Sequence, residues 1–151
     1  RNDLALLQLD MPIRNGRIPP FETAAQPRRG DTVGVVSYAK DRSDAPSLQE
    51  VCLVMAQQDG ILVTSCSVDF GSSGAPIFTF ADGAPKIVSV VSAKAETNGD
   101  RVALGTALNV PLAELQAQLV AYEGHYVAGG ASKRVKVGGT RTNSGAKFVK
   151  P

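Results

Sequence analysis

Six short segments of β-branched and alternating apolar residues, separated by turn formers, constrain the fold of this 151-residue chain more than any other feature. They cover residues 32–38, 48–57, 61–65, 76–80, 86–93 and 102–108, and patterns of this length and period read as strands. An all-β domain is therefore expected, its six antiparallel strands closing one barrel with inward positions filled by side chains. Pro111 then opens a helix over 111–123, with Leu112, Leu115, Leu119 and Tyr122 on one face and Gly124 at its stop. Upstream, an apolar run over 4–9 precedes Pro12 and the Pro19-Pro20 pair, which predicts one more strand followed by a connection.

The stretch Asp69-Phe70-Gly71-Ser72-Ser73-Gly74-Ala75-Pro76 places a serine between glycines in a turn, with strand residues on either side. A hydroxyl attacks poorly until a base takes its proton, and the tetrahedral oxyanion then needs donors, which glycine-lined backbone supplies. A Gly/Ser turn alone is common, but this one keeps informative company. Asn2-Asp3-Leu4-Ala5-Leu6-Leu7 opens the chain, Cys66 lies seven residues before Ser73, and Ser89-Val90-Val91-Ser92 follows as an apolar strand ending in serine.

In this order the signals resemble the chymotrypsin-like (trypsin-fold) serine endopeptidases, particularly the bacterial branch that includes the glutamyl endopeptidases, over residues 1 to 123. The resemblance implies that Asp3 is the triad aspartate, Ser73 the nucleophile, and the N–H groups of Gly71 and Ser73 the oxyanion hole. It implies that Ser92 borders the aspartate and begins the strand, through Ala93 and Lys94, along which substrate pairs. Ser67 would floor the primary specificity pocket, with Val68 beside it and Gly105 on the far wall. Peptides or proteins are the implied substrates, and no metal, organic cofactor or nucleic acid is implied. The alternative is a silent relative that keeps the barrel as a binding module.

That family runs His, Asp, Ser along the chain, yet no histidine precedes Asp3. The single histidine, His125, falls in Gly124-His125-Tyr126 beyond the helix and reads as a solvated tail residue. The base is accordingly expected from a first barrel outside this sequence. On that reading 1–29 holds the last strand of the first barrel and the inter-barrel connection, 30–110 the second barrel, and 111–123 the terminal helix. Ser72 stands where the animal digestive enzymes carry an aspartate that pairs with a newly cut N-terminus, so that activation switch has no partner here.

Charge separates the remainder. Residues 1–123 carry a net charge of −4, whereas 124–151 hold six Lys/Arg and no acid among repeated Gly, Ser and Thr. That segment has too little apolar surface to offset the entropy of ordering, so a disordered basic tail is expected, either a solvated linker or a contact for an anionic surface.

Cys52 and Cys66 flank Gln57-Gln58-Asp59-Gly60, whose Asp-Gly favours a tight hairpin turn. One pair without nearby histidines offers too few metal ligands. A disulfide across the hairpin is the preferred reading and two buried thiols the other. The disulfide points to a secreted or periplasmic protein. No apolar run approaches the roughly eighteen residues of a membrane span.

The uncharged Ser67 and apolar Val68 favour a neutral apolar guest in the pocket, while Lys94 at its entrance offers an acidic guest a partner.

Overall fold

The computed structural model describes residues 3–40, 44–97 and 99–123. Six strands follow one another: β1 (Thr32–Ser37), β2 (Ser47–Gln58), β3 (Ile61–Thr64), β4 (Pro76–Thr79), β5 (Lys86–Thr97) and β6 (Asp100–Ala107). All pair antiparallel, in the order β1-β2-β3-β6-β5-β4, and β1 returns to β4 through Gly34–Phe78 and Val35–Ile77 to close the barrel. Closure leaves no long free edge, which is how a small all-β unit of this size avoids edge-to-edge association.

Alternation decides what faces inward. Val33 and Val35 of β1, Cys52 and Val54 of β2, Leu62 of β3, Ile77 of β4, Val88 and Val91 of β5 and Ala103 of β6 form one buried cluster. Asp59 and Gly60 join β2 to β3 with φ of 50° and 78°, so both central residues are left-handed, as the right-handed twist of the flanking strands favours. The disulfide is formed. Cys52 and Cys66 lie 5.0 Å apart at Cα, and both are buried beneath this hairpin.

Four of the six pairings are interrupted by irregularities. The one that matters most for the site lies in β5, where Val91 faces Gly105 and Ala93 faces Leu104, leaving Ser92 as the extra residue of a bulge. Gly105 sits where β6 passes closest to the interior. A Cβ there would collide with Ser89 Oγ and lie 2.9 Å from Ile77 Cδ1. Ser89 is itself fixed, donating its hydroxyl to Thr106 O at 2.8 Å. Gly105→Ala is therefore expected to destabilise the barrel by about 1–3 kcal/mol, read as a lower denaturant midpoint at unchanged m.

The N-terminal segment departs from expectation. Residues 4–9 form no strand and are mostly exposed, because no described strand edge is available to accept their backbone groups. Further along, residues 22–24 lie beside β5. Ala24 N–H donates to Ile87 O, Ile87 N–H donates to Glu22 O, and Phe21 meets Phe78 edge-on at 5.0 Å.

The helix α1 (Asn109–Glu123) begins two residues earlier than expected, since Leu112 N–H already donates to Leu108 O. Pro111 is thus inside the first turn, where its missing N–H costs nothing. Leu112, Leu115 and Leu119 are half-buried, whereas Tyr122 is 73% exposed and lies off the covered face. The basic segment 124–151, with His125, lies outside the described residues.

Candidate active site

Two consecutive turns build the Gly/Ser loop between β3 and β4. Ser72 N–H donates to Asp69 O at 3.0 Å, with Gly71 third in that turn at φ 91°. Ala75 N–H donates to Ser72 O at 3.0 Å, with Gly74 third in the next at φ 82°. Both glycines occupy the left-handed position that such turns require. Gly71 is also confined by space, because a Cβ would lie 3.0 Å from the Lys40 backbone nitrogen.

The loop is clamped from two sides. Gly74 N–H donates to Val91 O at 2.7 Å and Val91 N–H to Ala75 O at 2.9 Å, tying it to β5. On the other side Lys40 N–H donates to Phe70 O at 2.8 Å. The Phe70–Gly71 peptide is trans, so its N–H points opposite to that carbonyl, away from the 38–40 segment. Among the described residues the N–H groups of Gly71 and Ser73 donate to nothing. Ser72 is turned inward and buried, while Ser73 is exposed.

The bulge in β5 frees Ser92 from the ladder, and its hydroxyl donates to Asp3 Oδ2 at 2.6 Å across 89 residues of sequence. This anchors one carboxylate oxygen of an exposed residue, and the other takes no hydrogen bond among the described residues. Ser73 and Ser92 line one cavity of about 270 Å³, together with Val68, Gly71, Val91 and Ala93 and with Asp69, Phe70 and Lys94 at its charged side. Lys94 Nζ lies 2.8 Å from Asp69 Oδ1 and 3.7 Å from the centre of the Phe70 ring. The Lys94 ammonium, and next the Phe70 N–H, hold the Asp69 carboxyl below its ordinary value. A second cavity, about 430 Å³ and largely apolar, opens on the other side of the loop between Phe21, Tyr38, Pro76 and Phe78. Gly71 and Ser73 border both.

The family model of the trypsin-like peptidase domain matches residues 1–85. This chain belongs to that family. No curated protein matches it. The matched region includes Asp3, the disulfide and the whole Ser73 loop, and it ends just before β5. A trypsin-like peptidase domain is a protease domain of the serine protease family, and the closed six-stranded barrel agrees with it.

Within this trypsin-like domain the residues singled out in the sequence separate into two groups. Gly71, Ser73, Val68, Ser92, Ala93 and Lys94 meet around one cavity, and Asp3 joins them through Ser92. Ser67 and Gly105 do not line it. Ser67 is exposed and its N–H donates to Gln49 Oε1 at 2.7 Å, so it faces β2. Gly105 points into the barrel, and the β6 residue paired with Lys94 is Ala103, two positions earlier. The bulge at Ser92 shifts the register by one residue, which a count along the sequence does not show. Sequence reasoning also missed Asp69 and Phe70 as partners of Lys94. The only signal was an acidic and an aromatic residue immediately before the Gly/Ser turn.

Proposed function

We propose that this domain supplies the nucleophile, oxyanion hole and orienting carboxylate of a serine endopeptidase, with the general base a histidine from outside these residues. What most supports the reading is the Ser73 loop, which holds an exposed hydroxyl beside two backbone N–H groups that no described acceptor takes. Backbone donors already fixed in place need no reorganisation when negative charge develops nearby.

In the reaction Ser73 Oγ attacks the scissile carbonyl carbon, forming the C–O bond while its proton passes to the histidine. The carbonyl oxygen becomes the oxyanion received by the N–H groups of Gly71 and Ser73. The C–N bond then breaks, and the leaving amine takes the proton back from the histidine. Water hydrolyses the acyl-enzyme by the same steps in reverse roles. Asp3, steadied by Ser92, orients the histidine and stabilises its charged form. The two cavities bordering Ser73 suit a chain crossing the loop, with the 270 Å³ cavity beside Ser92 taking the side chain of the acyl half. The disulfide supports action in the periplasm or the medium.

Treating the longest natural form of the protein with a fluorophosphonate, and locating the adduct by peptide mass spectrometry, tests the reading. An adduct on Ser73 is expected. Absence of one from a folded, full-length and propeptide-free sample would overturn the enzyme reading in favour of a silent binding relative.

A further inference from the structure

The cavity beside Ser73 is bounded by Val68, Val91 and Ala93, and at its charged side by Lys94, which is already engaged. Asp69 takes its ammonium at 2.8 Å and the Phe70 ring lies under it at 3.7 Å. Both partners belong to the segment that runs into the Ser73 loop, whereas Lys94 comes from β5. The clasp therefore joins two walls of one cavity. Behind it a further cavity of about 440 Å³ is shared by Asp69, Lys94, Glu96 and Arg101, two cations and two carboxylates that balance one another. Lys94 and Asp69 remain 41% and 60% exposed, so the pair is in contact with water.

A guest carboxylate approaching Lys94 meets the Asp69 carboxylate at the same place. The attraction and the repulsion offset, and what remains selective is the apolar lining. Resting on the reading of Ser73 as nucleophile, we infer that Asp69 is a specificity-determining residue. By neutralising Lys94 it sets the cavity for uncharged apolar side chains, and without it the same cavity accepts acidic ones.

The experiment uses the full-length protein and two peptidyl diphenyl phosphonates that differ only in the side chain entering this cavity, isobutyl or carboxyethyl. Each phosphonylates an activated serine. The Ser73 Oγ–P bond forms as the P–O bond to phenoxide breaks, and the serine proton passes to the base. The wild type is expected to react faster with the apolar probe by about tenfold, a ratio set by one unpaired against one paired charge. In Asp69→Asn the ratio shifts toward the acidic probe by about tenfold, and in Asp69→Asn combined with Lys94→Met it returns. Asp82→Asn, which removes the same charge from the Lys86 pair between β4 and β5, leaves the ratio unchanged. Because a ratio is read, a general loss of reactivity does not mimic the effect. Labelling of Ser73 in Asp69→Asn at the wild-type ratio overturns this inference alone. Absence of labelling in the wild type overturns the nucleophile reading and this inference with it.

Discussion

Ser73→Ala is expected to lower kcat for peptide hydrolysis in the full-length protein by about 10⁴- to 10⁶-fold while leaving its thermal unfolding where it was. The two halves of the expectation come from different observations. Loss of rate follows, on the proposed mechanism, from removing the oxygen that attacks the substrate carbonyl carbon. Retention of stability follows because Ser73 is exposed and its hydroxyl forms no hydrogen bond among the described residues. The neighbouring Ser72 gives the contrast. It is buried, and its Oγ faces the Asp69 N–H at 3.4 Å, so Ser72→Ala perturbs the loop itself. A fluorogenic peptide assay paired with a thermal melt separates the cases. Hydrolysis surviving in Ser73→Ala would move the nucleophile elsewhere.

The second large effect is on stability. Replacing Cys52 and Cys66 together by alanine is expected to cost about 3 kcal/mol, the loop-closure value for a crosslink of this span. That corresponds to a fall in Tm of roughly 6–12 °C for a chain of this length. Chemical reduction of the native protein should reproduce it. The effect reaches the site because the crosslink ties β2 to the residue from which the chain leaves the barrel toward the Ser73 loop. Equilibrium unfolding in denaturant, with and without reductant, measures it. Equal midpoints would mean that burial of the two side chains, and not the bond, holds the hairpin.

Much of the barrel is legible in the sequence because its strands carry their own signals. The six segments match β1 to β6 within a few residues, and Asp59-Gly60 marks its turn through a dipeptide that accepts two left-handed residues cheaply. Legibility fails where burial does not write a pattern. β5 and β6 run on together as an arm through residues 95–97 and 100–101, where Glu96 and Arg101 face each other in solvent and no apolar alternation betrays a strand. The converse holds at residues 4–9, where an apolar run reads as a strand of a first barrel but pairs with no strand among the described residues.

At the site, Ser73, Gly71, Asp3 and Ser92 were reachable from their order along the chain. The clasp of Lys94 was not, because its partners lie 25 and 24 residues away and meet it only after β5 has bulged. Gly105 does not line the cavity, and the extra residue in β5 sets Ala103, not Gly105, opposite Lys94.

That single extra residue acts as a phase boundary within β5. Before it, Ser89 and Val91 point alternately into the barrel and are buried there. After it, the register with β6 is shifted by one residue, and Ala93 and Lys94 border the cavity instead. Substitutions beyond Ser92 can therefore rewrite what the cavity holds while the barrel's register stays as it is, whereas deleting one residue at the boundary would invert every side chain from there to the tip of the arm.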